Sequence, residues 1–110
     1  MFLTNLINKD IRLSKSIEDN PIITGLDFDS RKIKKGMIFA AINGENNNGI
    51  DFCDKALKAG ATTILCSKKE INKIIKKKAN ILTTKNVRLA VSLIIKKMFP
   101  KQPKNIVAIT

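Results

Sequence analysis

The 110 residues include no histidine, tryptophan or tyrosine, and only two cysteines. Each absence removes a kind of chemistry. Without histidine, Cys53 and Cys66 are too few soft ligands for a zinc site, and their spacing is not that of a Cys-x-x-Cys pair. The expectation is two reduced, partly buried thiols, no metal, and a reducing cytoplasm. Without Trp or Tyr, stacking platforms for nucleic-acid bases reduce to five phenylalanines. Arginine is scarce as well. Arg12, Arg31 and Arg88 stand alone among 21 basic residues, and acids number only 9, which leaves a net charge of +12. Arginine reads phosphates and guanine edges with a two-pronged fork, and lysine does not. A solvated lysine surface is therefore expected, with no specific nucleic acid as partner, although a small basic nucleic-acid-binding module stays open as an alternative. Lys, Ile and Asn are all abundant, as an AT-rich coding sequence would make them. No apolar run approaches the ~18 residues that span a membrane. Met1 to Asp10 carries neither the basic start nor the long apolar stretch of a secretory leader. No membrane partner is expected.

Hydrophobic residues make up 44% of the chain, enough for a real core without metal or disulfide staples. Its length suits one domain, residues 1–110. Phe2, Leu3, Leu6 and Ile7 have helical spacing and predict a short helix over 2–8. Ile22 to Leu26 reads as a strand after Pro21. Met37 to Ile42 is a continuous apolar run, predicting a strand buried on both faces. Asp51 is placed to cap a helix that carries Phe52, Ala56 and Leu57 and stops at Gly60. Thr62 to Cys66 is a strand. Ser67 and Glu70 form a capping-box pattern before a helix with Ile71, Ile74 and Ile75 on one face. Asn80 to Thr83 is a short strand. Asn86 caps the clearest helix, in which Val87, Ala90, Val91, Ile94 and Met98 share a face and Pro100 is the stop. Lys101 to Lys104 is a turn, and Asn105 to Thr110 a final buried strand. Strands alternating with helices predict an α/β domain with a mostly parallel or mixed sheet between helical layers.

Two segments carry the candidate chemistry. Asp29-Ser30-Arg31 follows a predicted strand, and the carboxyl end of a strand is where open α/β sheets hold ligands. Ser30 offers a short hydroxyl at an exposed strand end, and Arg31 a fork suited to phosphate. The same tripeptide can equally be a turn in which Arg31 pairs with Asp29. The second segment is the loop Gly44-Glu45-Asn46-Asn47-Asn48-Gly49. Its glycines let backbone amides approach a ligand, and its Asn side chains both donate and accept. A plain surface turn is the other reading. No Gly-Lys-Ser or Gly-Lys-Thr phosphate loop occurs.

Taken in order, Asp-Ser-Arg, Gly36, Ile38-Phe39-Ala40-Ala41, the Gly-bracketed loop, Phe52 and Gly60-Ala61 resemble the amino-terminal domain of the Mur ligases, the ATP-dependent amide ligases of peptidoglycan synthesis. The resemblance runs from residue 22 to 110 and is greatest to the MurE type, with the MurF type, which adds D-alanyl-D-alanine, as a near alternative. Lys35 stands where the family usually has Pro, Met37 where it often has Asp, and Asn48 where Asp often precedes Gly.

The resemblance implies a domain that anchors the UDP end of UDP-N-acetylmuramoyl-L-alanyl-D-glutamate. Phe28, Ser30, Glu45, Asn46 and Asn47 would contact that moiety, and Arg31 a phosphate. No catalytic residue is implied. The family continues with Gly-Thr-Asn-Gly-Lys-Thr, so the chain is expected to be a piece that stops short of the ATP-binding domain and is inactive alone. The resemblance implies ATP and Mg2+ for the full-length parent and no cofactor for this piece. The parent would add diaminopimelate or lysine through an acyl-phosphate. A scaffold without a ligand remains the reading from a third class.

Overall fold

The computed structural model describes residues 1–99. A five-stranded sheet is built from β1 (Ile11–Lys15), β2 (Gly25–Asp27), β3 (Met37–Ala40), β4 (Thr63–Ser67) and β5 (Asn80–Thr84), in the order β1-β5-β4-β3-β2. Strands β2 to β5 are parallel, and β1 joins β5 antiparallel. The expected α/β class and mostly parallel sheet are therefore what the chain forms.

Alternation along the central strands sorts side chains into two cores, one on each face. Phe39, Ile64, Cys66 and Ile81 point to the face covered by α1 (Cys53–Ala59) and by the 3-10 segment Lys68–Lys73. Ile38, Ala40, Leu65 and Leu82 point to the face covered by α2 (Val87–Met98) and the 3-10 turn Leu3–Leu6. Because both faces are covered, β3 to β5 are almost wholly buried; β3 is an unbroken apolar run, and β4 and β5 keep apolar centres between polar ends. Asn86 caps α2 as expected, its side chain accepting from Leu89 N at 3.1 Å. Ala90 and Ile94 lie on the buried face of α2, with Val87, Val91 and Met98 packed beside them. Gly60 ends α1 at φ 119°, and a Cβ there would come within 2.8 Å of the Lys35 backbone. Only glycine serves at that left-handed position packed against another turn.

Several local expectations need correction. The helix expected over 2–8 is a 3-10 turn of four residues, and Phe2 instead bridges Ile22. That leaves the second strand only Gly25–Asp27. Asp51 is not a cap, because a 3-10 turn already begins at Gly49 and α1 follows from Cys53. The helix expected after Ser67 is a 3-10 segment. Ser67 Oγ accepts from Lys69 N at 3.3 Å, so Ser67 and Glu70 do not close a reciprocal capping box. Lys15 Nζ donates to the carbonyls of Ile75 and Lys77 at 2.6 and 2.8 Å, holding that segment in a tight return to β5. The strand β1 was not expected. Cys53 and Cys66 are fully buried rather than partly so. Pro100, the turn at 101–104 and the strand at 105–110 lie outside the described residues.

Candidate functional site

Strands β2 and β3 are hydrogen-bonded parallel neighbours, with Asp27 opposite Phe39. The connections that leave their carboxyl ends therefore emerge side by side on one edge of the sheet. Those connections are Phe28 to Ser30 and Ala41 to Asn48, the two segments singled out from sequence.

Asp-Ser-Arg makes a 3-10 turn over Ser30–Lys32. Asp27 Oδ1 accepts from Asp29 N at 2.9 Å, and Asp29 Oδ1 accepts from Arg31 N at 2.9 Å. The Arg31 fork closes on the same carboxylate, Nε to Oδ1 at 3.0 Å and Nη2 to Oδ2 at 2.9 Å. The guanidinium holds the Asp29 carboxyl down at about 2, below its ordinary value. A phosphate at Arg31 would have to share a fork that Asp29 already occupies. Ser30 is buried, at 8% exposure, which corrects the expected exposed strand end. The residue packs within the 3-10 turn, and its hydroxyl is bonded by none of the described residues. Phe28 is 45% exposed, a bare aromatic ring beside it.

The second loop is shaped from its base. Gly49 N donates to Asn43 Oδ1 at 3.0 Å, and Gly44 N donates to the Asn47 carbonyl at 2.8 Å. A Cβ on Gly49 would fall 2.5 Å from both N and O of Ile42, so the loop's return leg lies directly on its outgoing leg. Glu45, Asn46 and Asn47 are exposed, and their side chains make no hydrogen bond with described residues.

Three residues that sequence reasoning passed over join here. Asn43 Nδ2 donates to Glu70 Oε1 at 3.2 Å, and Arg88 Nη2 donates to the Asn43 carbonyl at 3.3 Å. These partners are far apart in sequence, and nothing in their local pattern pairs them. Asn43, Glu70, Lys85 and Arg88 help to line a cavity of about 250 Å³ next to the loop. A larger cleft of about 350 Å³ opens between β1 and α2, walled by Lys9, Arg12, Lys68, Lys85 and Leu89 among others. None of Phe28, Ser30, Glu45, Asn46 and Asn47 lines it. None of those five lines the smaller cavity either, so the two loops stand as the candidate site by their position at adjacent strand ends rather than by any enclosed volume.

No group of three His, Cys, Asp or Glu able to hold a metal ion exists among the described residues. Among them, too, no helix is long and apolar enough to cross a membrane.

The sequence pattern of the Mur ligase family, catalytic domain, matches residues 22–98. A UDP-N-acetylmuramoyl-L-alanyl-D-glutamate--2,6-diaminopimelate ligase from Rickettsia conorii is 35% identical over 88 residues, covering 80% of this chain and 18% of that protein. A ligase of the same name from Fusobacterium nucleatum is 43% identical over 61 residues, covering 56% of this chain and 11% of that protein. Among solved structures, a MurF ligase from Thermotoga maritima in complex with ADP matches with a TM-score of 0.53 at 23% identity, over 68% of this chain and 16% of that one. That likeness bears on the fold. The chain thus spans less than a fifth of the length of each of these proteins.

Proposed function

The chain belongs to the Mur ligase family, and from that premise we propose that it is the domain that holds the UDP end of a UDP-N-acetylmuramoyl-peptide substrate. The relatives named above act, by their names, on UDP-N-acetylmuramoyl-L-alanyl-D-glutamate and 2,6-diaminopimelate. This chain is read as the substrate-gripping part, residues 1–110, of a ligase of that MurE kind working in the cytoplasm. The remainder of such a ligase would supply ATP, magnesium and the incoming amino acid, diaminopimelate or lysine, and form the amide through an acyl-phosphate. These residues do not fit ATP or magnesium themselves. They carry no Gly-Lys-Thr loop and, where described, no metal-holding cluster. No chemical step is assigned to them, and the 110-residue chain alone is expected to turn over no ATP.

The observation that carries the reading is the pairing of two connections at adjacent carboxyl ends, one with a half-exposed aromatic ring and a hydroxyl, the other with amide side chains, these polar groups being unbonded among the described residues. Phe28 offers a face to a base. Ser30 offers a hydroxyl, and Glu45, Asn46 and Asn47 offer acceptors and donors to a base edge or sugar. Binding energy gathered there, far from the reacting end, would orient the substrate's carboxylate for the rest of the enzyme.

The test is an NMR titration of the 110-residue chain with UDP. Shifts are expected at residues 28–30 and 44–48, with modest affinity. Ser30→Ala should weaken binding by about 0.5–1.5 kcal/mol, one neutral hydrogen bond. Although Ser30 is buried, its hydroxyl has no partner among the described residues to abandon, so the melting temperature should hold. Shifts confined to the lysine-rich segment 69–78, with none near Ser30 or Asn46, would put the site elsewhere.

A further inference from the structure

Asn43 uses three of its polar groups to join three separate connections. Its Oδ1 accepts from Gly49 N at 3.0 Å, which closes the loop after β3. Its Nδ2 donates to Glu70 Oε1 at 3.2 Å, in the segment after β4. Its carbonyl accepts from Arg88 Nη2 at 3.3 Å, in the first turn of α2 after β5. The Glu70 side chain is only 12% exposed, so it is held rather than swinging in solvent, and its other oxygen lies 3.8 Å from Lys73 Nζ. Arg88 sits where a helix least favours a cation, beside the positive end of the dipole, and no acid shares that first turn. The Asn43 carbonyl is the acceptor it meets there.

We propose that Asn43, held by Glu70 and Arg88, is a positioning residue that fixes the Gly44–Asn48 loop in its ligand-binding shape before a nucleotide arrives. The inference rests on the nucleotide-holding role proposed above. The loop's own side chains make no hydrogen bond with described residues, and the bonds that shape it lie at its base. A loop pinned in advance loses less conformational entropy on binding, and affinity rises without any new contact to the ligand. Neither Glu70 nor Arg88 needs to touch the nucleotide for this to work.

The experiment measures UDP affinity and 15N relaxation of residues 44–48 in the 110-residue chain. Glu70→Ala and Arg88→Ala should each weaken UDP binding by about 2- to 10-fold, the loss of one partly exposed hydrogen-bonded link, and Asn43→Ala, which removes the links to both Gly49 and Glu70, by at least as much. Each should raise loop mobility in the unliganded protein while the melting temperature moves little. Glu70→Gln should restore affinity and order, because an amide oxygen still accepts from Asn43, whereas a merely electrostatic role would fail with it. Asn43→Ala combined with Glu70→Ala should lose no more than Asn43→Ala alone, since the two act through one link. Wild-type chain that binds UDP together with an Asn43→Ala variant that binds equally would overturn this role alone. Glu70→Gln falling as far as Glu70→Ala would also overturn it. Wild-type chain that does not bind UDP would overturn the proposed function and this role with it.

Discussion

Replacing Gly49 by alanine should destabilise the domain far more than its place at the end of a surface loop implies. The added Cβ would lie 2.5 Å from N and O of Ile42 and 2.8 Å from the carbonyl carbon of Ala41. Ordinary contact begins at 3.4 Å, so something must give by about 0.9 Å. The obstructing atoms are backbone and cannot rotate away. Ala41 N is tied to the Leu65 carbonyl at 2.8 Å, and Gly49 N is tied to Asn43 Oδ1 at 3.0 Å. Overpacking costs roughly 1–3 kcal/mol where side chains can adjust, and a clash between two anchored backbones belongs at the upper end. For a domain of this size that is a fall in melting temperature on the order of 10–15 °C. Gly44→Ala is the control. Its Cβ would meet nothing closer than the Asn47 carbonyl at 3.7 Å, and stability should stay within about 0.5 kcal/mol of wild type. Thermal unfolding followed by circular dichroism, with urea titration beside it, reads both. If Gly49→Ala melts with the wild type, the loop's return leg is not seated on Ile42, and the reasoning about a pinned loop base fails.

Other outcomes follow from the same coordinates. Asn80 is fully buried, accepts from Ile17 N at 2.8 Å and donates to the Thr62 carbonyl at 3.1 Å, so Asn80→Ala should cost about 1–3 kcal/mol in urea unfolding by leaving those groups unpaired. Burial pushes the Cys53 and Cys66 thiols up to about 12 from an ordinary 9.0, so both should resist a thiol reagent at pH 8 until the protein unfolds. The same shift makes the buried thiols a stabilising contribution that is complete below pH 9.0 and lost as pH climbs towards about 12, and a Cys53→Ala, Cys66→Ala double variant should lose that share of the alkaline slope. Asp29 is depressed to about 2, first by the Arg31 fork and then by the backbone N–H of the same residue, so its favourable share is present above pH 3.8 and fades as pH falls through about 2; in Arg31→Ala an NMR pH titration should find the carboxyl raised towards 3.8 but still below it, because the backbone N–H at position 31 still donates.

What could be read from sequence depended on whether a segment's neighbours were local or distant. Met37 to Ala40 announces itself because burial on both faces writes a continuous apolar run, while Thr63 to Cys66 and Asn80 to Thr83 show shorter apolar stretches edged by Thr and Asn. The α2 stripe is legible because twelve residues give the helical period room to repeat. The first strand, Ile11–Lys15, hides because it is a half-exposed edge. Only Ile11 is buried; Leu13 and Lys15 are half-buried, and Arg12 and Ser14 are exposed. Ile71, Ile74 and Ile75 have helical spacing, yet the carbonyls that would continue a helix are taken by Lys15 from a distant strand. At the site, Asp29-Ser30-Arg31 and the Gly44–Gly49 loop could be placed at strand ends by order alone. Nothing local says that Ser30 is buried, and the links from Asn43 to Glu70 and Arg88 exist only once β3, β4 and β5 lie side by side.

The sheet order β1-β5-β4-β3-β2 puts the first two strands of the chain on opposite edges. Ile11 pairs with Thr84, whereas β2, β3 and β4 each sit beside the next strand made. During synthesis, the strands from Gly25 onward can add to one another in the order in which they leave the ribosome. Strand β1 is made before any of them and has no partner until Asn80–Thr84 has emerged. Lys15 is in the same position, since the carbonyls of Ile75 and Lys77 come late. Closing so long a span is an intrinsically slow step. Until it closes, the N–H and C=O groups along one side of β5 stand open, an unpaired edge able to accept a strand from another chain. The short, charged sequence Ile11-Arg12-Leu13-Ser14-Lys15 is the piece that covers this edge. A chain that begins after Lys15 would still contain every residue proposed to touch the nucleotide, and would be expected to aggregate.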